Sequence, residues 1–133
     1  MRFTLRKLAI LLFGFLFISP MAFAEDDEPT EINYIELKPS IVSNLTGGPK
    51  YIRCNIQLMT DKPSAVELVE LHTPMIRHHI LMLIAGENGT ILKTRDGKEA
   101  LRTKALENIQ AQLTEATGKP LVKDLFFTAY YVK

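Results

Sequence analysis

The feature that most constrains this chain is the alternation over residues 50–59. Ile52, Cys54, Ile56 and Leu58 take one parity, and Arg53, Asn55 and Gln57 take the other. Successive side chains of a strand point to opposite faces, so the pattern demands a sheet buried on one side and wetted on the other. The Gly47-Gly48 pair ahead of it is a turn signal, and residues 40–45 read as the partner strand of an antiparallel hairpin. Residues 33–37 are a further strand candidate, ended by Pro39, which cannot donate to a ladder. Residues 121–132 are rich in aromatic and β-branched side chains and read as a terminal strand. Being apolar at both parities, that strand is expected in the middle of the sheet.

Helical spacing takes over between the strands. Ser64 followed by Glu67 has the capping-box interval, and Ala65, Leu68, Val69, His72, Met75, Ile76, Ile80 and Leu83 then recur every three or four residues. Pro74 makes this one kinked helix or two, with Thr73 capping the second. Residues 80–85 are apolar all round and are expected to be deeply buried. Glu87-Asn88-Gly89 stops the helix, and Ile91-Leu92 reads as a brief extended link. Thr94 or Asp96 caps a last helix running to about Thr117, with Leu101, Ala105, Ile109, Leu113 and Ala116 on its apolar face. Gly118 and Pro120 end it. The order βββααβ gives an α+β fold, a small, mostly antiparallel sheet packed by two or three helices. Leu58, Ile80, Leu83, Ile109 and Leu113 are expected to be nearly fully buried.

A leader precedes this domain. Residues 1–7 hold Arg2, Arg6 and Lys7, and residues 8–18 are the apolar run LAILLFGFLFI. Ser19-Pro20 breaks the run, and Ala22-Phe23-Ala24 offers small residues at both positions a signal peptidase inspects. A helix of that length spans roughly 17 Å, against about 30 Å for a bilayer core. Residues 1–24 are thus expected to be a signal peptide cleaved after Ala24, the alternative being a retained signal-anchor. Any membrane attachment would then run through this segment alone, and either way the remainder leaves the cytoplasm. Residues 25–33 read as a flexible acidic lead-in and residues 34–133 as the folded domain. The chain has 16 Lys and Arg against 15 Asp and Glu, but three of the basic residues lie in the leader and every acid lies beyond it. The exported part is weakly acidic and carries no basic stripe, which argues against a nucleic-acid partner.

The search for reactive groups yields no catalytic residue. Cys54 is the one cysteine, which excludes an intramolecular disulfide, and it reads as a small buried hydrophobe. His72, His78 and His79 have no carboxylate, Cys or His three or four positions away, so no metal site is expected. Gly47-Gly48-Pro49-Lys50 is not a phosphate loop, because Pro49 removes a donor and no Ser or Thr follows the lysine. Residues 94–99 hold one Asp and one Glu, too few oxygen ligands for calcium. Met75 and Met82 read as core filler. The terminal strand has one functional reading, an edge open to another chain. Asn44-Leu45-Thr46 and Asn88-Gly89-Thr90 are glycosylation triplets that matter only in a eukaryotic secretory pathway.

Several stretches carry a resemblance. They are Ile41-Val42-Ser43-Asn44-Leu45 with Tyr51-Ile52-Arg53, then Pro74-Met75-Ile76-Arg77, then Leu92-Lys93-Thr94 with Gly97-Lys98-Glu99-Ala100-Leu101-Arg102, and last Leu125-Phe126-Phe127-Thr128. In this order they resemble the periplasmic domain of the FliL family of bacterial flagellar basal-body proteins. The resemblance implies a fold similar to stomatin/prohibitin-type domains and a non-enzymatic role without cofactors. The implied partners are the basal body and the stator, through its membrane-embedded and peptidoglycan-linking subunits, in support of rotation, swimming or swarming. It also implies self-association into a ring-like oligomer. Arg77 and Arg102 are the matched charges that can face a partner. The chain departs from the family pattern in its cleavable leader, in His78 after the arginine, and in Lys133 at the end. The alternative is a periplasmic small-ligand-binding protein or enzyme with a site built from scattered residues, which would need an apolar cavity with converging polar groups.

Overall fold

The computed structural model describes residues 28–133, and the leader reading of residues 1–24 lies outside them. Three strands, β1 (Asn33–Asn44), β2 (Tyr51–Thr60) and β3 (Asp124–Val132), form one antiparallel sheet in the order β1-β2-β3. Four helices, α1 (Pro63–Leu71), α2 (Thr73–Ala85), α3 (Gly89–Leu92) and α4 (Arg95–Thr117), come between β2 and β3. The fold is α+β as expected, with one strand fewer and one helix more. No helix among the described residues is long and apolar enough to cross a membrane.

The missing strand has a physical cause. Residues 33–37 and 40–45 belong to a single strand interrupted by a register shift between Leu37 and Ile41, with a cis bond at Lys38-Pro39. Because β1 lies at the sheet edge, Pro39 sits in an irregularity where its missing N–H breaks no ladder.

β3 also lies at an edge, and β2 is the central strand, contrary to expectation. Its apolar residues at both parities come from a second irregularity, where Thr128 is an extra residue between Phe127, opposite Ile56, and Ala129, opposite Asn55. The bulge switches parity, so Leu125 and Phe127 face inward before it and Tyr130 and Val132 after it.

Helix starts differ from the local reading in two places. Ser64 is not the cap of α1, since Lys62 holds that position without a side-chain bond and Pro63 begins the helix. The exposed amides accept help from outside: Glu28 takes hydrogen bonds from the Ser64 N–H, at 2.6 Å, and from its hydroxyl. Thr73 does not cap α2; its hydroxyl donates to the Val69 carbonyl at 3.3 Å. Of the two alternatives the chain takes two helices, which meet at His72, with Pro74 in the first turn of α2. Ile91-Leu92 is helical rather than extended, because the Asn88 carboxamide oxygen accepts from Thr90 N at 2.8 Å and Ile91 N at 3.3 Å and closes a turn. Thr94 caps α4, accepting from Gly97 N at 2.9 Å, and Gly118 ends it at φ +84°.

Ile52, Cys54, Ile56 and Leu58 on β2 share one buried cluster with Ile76, Ile80 and Ile84 of α2 and Leu101, Ile109 and Leu113 of α4, α2 packing over β1 and α4 over β3. Burial of residues 80–85 is a stripe rather than a full cylinder: Met82 is 63 % exposed and Leu83 is half-buried. Only one side of α2 meets the sheet and α4, so the opposite side stays wet. Ala116 on α4 is likewise exposed.

Candidate functional site

Groups with reactive potential are mostly committed to packing. Cys54 lies fully buried on β2, and desolvation pushes its thiol up to about 12. Tyr130 is raised to about 12 as well, first by burial and then by Cys54 and Glu87, while its hydroxyl donates to the Leu92 carbonyl at 2.7 Å. The Lys98 ammonium lies 4.9 Å from the centre of the Tyr130 ring. A thiol raised this far is protonated at neutral pH and cannot serve as a nucleophile. Both groups lie above their unfolded values, so their contribution to stability is complete below about pH 9 and is lost as pH rises toward 12. The urea midpoint should therefore fall between pH 8.5 and about 11, and Cys54→Ala should flatten that fall. Equal slopes in the two proteins would mean that Cys54 is not the group titrating.

His72 sits half-buried between α1 and α2, His78 is exposed, and the His78 and His79 rings meet edge to face at 5.5 Å. Among the described residues no three His, Cys, Asp or Glu side chains are placed to hold a metal ion. Asn88 of the second glycosylation triplet is occupied as the cap of α3. Residues 94–99 form the capped entry into α4 rather than a loop of free oxygens.

Arg77 and Arg102 lie at opposite edges of the sheet. Arg77 on α2 donates to the Pro39 carbonyl and fastens the irregular part of β1 to that helix. It rims an open groove of about 630 Å³ with Lys38, Glu70, Pro74, His78 and Leu81. Arg102 on α4 binds Glu99 at 3.0 Å and Asp124 at 2.7 Å, joining the helix to the start of β3. The Glu99 hydrogen bond, with added attraction from both carboxylates, raises its already high pKa. It lies in a second open groove of about 310 Å³ with Lys98, Phe126 and Phe127. Each arginine thus has a structural partner and still reaches the surface.

A surface that local spacing did not single out is the outer face of the sheet. Tyr34, Val42, Tyr51, Phe126 and Tyr131 all stand exposed on it, Tyr34 and Tyr131 by 59 % and 60 %. The Tyr34 and Phe126 rings lie 6.3 Å apart at one end. At the other end an open groove of about 400 Å³ is lined by Tyr51, Arg53, Asn55, Ala129, Tyr131 and Lys133. The signal was present in the parity of β1 and β3, but two register shifts concealed which parity faces out.

Residues 34–132 match the family described as flagellar basal body-associated protein FliL. The flagellar protein FliL of Aquifex aeolicus (strain VF5) is 25 % identical over 108 residues, covering 79 % of this chain and 65 % of that protein. The chain therefore spans just under two thirds of that relative's length.

Proposed function

The chain belongs to the FliL family of flagellar basal body-associated proteins, and from that premise we propose that it works by contact, associating with the motor stator and supporting flagellar rotation. The observation that carries this reading is the match over residues 34–132, which takes in every strand and helix of the described residues but for Asn33 at the start of β1. In this reading the leader is removed after Ala24 and the domain acts in the periplasm, at the basal body in the inner membrane. Self-association into a ring would present many copies of one contact surface around the stator.

Arg77 and Arg102 are the proposed contact residues. A guanidinium carries five N–H donors, so a bond to one carbonyl leaves Arg77 several for a partner carboxylate. Arg102 is a harder residue to test, because Glu in its place would face Glu99 and Asp124 and loosen β3. Arg77→Glu is the cleaner variant.

A clean deletion should reduce spreading in soft agar, and the wild-type gene should restore it. Arg77→Glu should restore less, with weaker co-purification of the stator subunits at unchanged abundance; the abundance control matters because a destabilised variant would also swim poorly. Replacing His72, His78 and His79 together with Gln should leave spreading intact. Normal swimming of the Arg77→Glu strain would remove that residue from the interface. Normal swimming of the deletion strain, under load as well as in liquid, would overturn the flagellar role.

A further inference from the structure

We propose that the groove over β2 and β3 on the outer face of the sheet binds an extended acidic segment of a partner protein. The first observation is charge. Arg53 and Lys133 both line the groove, no Asp or Glu side chain lines it with them, and neither side chain has an ion-pair or hydrogen-bond partner among the described residues. Some basic residues are paired with acids, Arg102 with Glu99 and Asp124, Lys104 with Glu87 and Lys123 with Asp61, whereas these two neighbouring cations are not. Two unneutralised cations beside one another favour an anion in the gap.

The second observation is spacing. Arg53 lies opposite Tyr131, and Tyr51 exchanges backbone hydrogen bonds with Lys133, so Arg53 and Lys133 are diagonal neighbours across the two strands. Such neighbours stand about 7–8 Å apart. Carboxylates two residues apart on an extended chain project from the same side at about 7 Å. An acid-x-acid segment lying along the groove would meet both cations. Ala129 opposite Asn55 gives the groove a low floor, and the exposed Tyr51 and Tyr131 rings give it apolar walls.

Two other occupants fit less well. The acidic lead-in of the same chain is held at Glu28, which binds Ser64 just beyond the far end of β2. From there to Arg53 is roughly 23 Å along the strand, whereas residues 25–27 reach about 10 Å. A second copy stacked on the sheet face would find a footprint of roughly 450 Å², three strands wide. A stable interface needs about 800 Å² on each partner. A narrow segment suits the surface, and this holds whether or not the partner is a stator subunit.

The test uses the full chain and a fluorescein-labelled nine-residue peptide with Glu at alternate positions between Val and Thr, read by anisotropy. A second peptide carries Lys for every Glu. The acidic peptide should bind at least about tenfold more tightly than the basic one, and more weakly as salt is raised. Arg53→Glu should lower its affinity by about tenfold or more, with an unchanged melting temperature because the side chain is exposed. Tyr131→Ser should weaken it about fivefold. Equal binding of the two peptides, or binding that survives Arg53→Glu, would overturn the proposal. So would failure of the acidic peptide while anionic phosphatidylglycerol vesicles or peptidoglycan fragments bind through Arg53.

Discussion

Replacing Gly97 with alanine should destabilise the domain by at least about 3 kcal/mol, the upper range of overpacking effects. That is a large part of a total of about 5–15 kcal/mol. A Cβ built on Gly97 would lie 1.9 Å from the Ile91 carbonyl oxygen, 2.6 Å from its carbon and 2.9 Å from Thr94 Oγ1. None of these can turn aside. The Ile91 carbonyl is backbone, and the Thr94 hydroxyl donates to it at 2.7 Å while accepting from Gly97 N at 2.9 Å. An added methyl would therefore break the α4 cap or push α3 away from α4. Gly118→Ala is the matched control: its φ of +84° disfavours a side chain, but no atom lies within 4 Å of the added carbon. It should cost only about 1 kcal/mol. Urea titrations of the two variants would decide the point, and a smaller loss for Gly97→Ala would mean that α3 and α4 do not approach so closely.

The same helix shows what a sequence can and cannot carry. Thr94, offered with Asp96 as the cap, and Gly118 announced the start and end of α4, because capping is a matter of a few neighbouring residues. The alternation of β2 was equally legible, since the strand is paired on both sides and buried on one face. What failed was whatever depended on distant partners. Glu28 caps α1 from 36 residues away, so Ser64 only looked like the cap. The register shifts at Pro39 and Thr128 are set by pairing to β2, and they hid both the merged first strand and the edge position of β3. Spacing could say that Arg77 and Arg102 lie on helices, but not that Pro39 and Asp124 would be waiting for them. The outer-face groove draws its lining from two strands about 75 residues apart, and no local pattern joins them.

Leu113→Ala should cost about 2–5 kcal/mol and Leu83→Ala clearly less, although both leucines belong to helices with apolar faces. Leu113 is fully buried on α4, whereas Leu83 only packs against the edge of the cluster and remains half-buried on α2. Removing three methylene-sized groups from Leu113 leaves a cavity that surrounding atoms can fill only by shifting Val122, Leu125 or their neighbours in the core. The same truncation at Leu83 opens toward solvent, so water enters where the side chain was and no cavity term is added. The difference rests on α2 lying with Ile76, Ile80 and Ile84 inward, a stripe set by its packing on β1 and α4. Denaturant titration with a common slope gives both values. Should Leu83→Ala prove the costlier, α2 must be turned about its axis from this orientation, which would carry Arg77 off the Pro39 carbonyl as well.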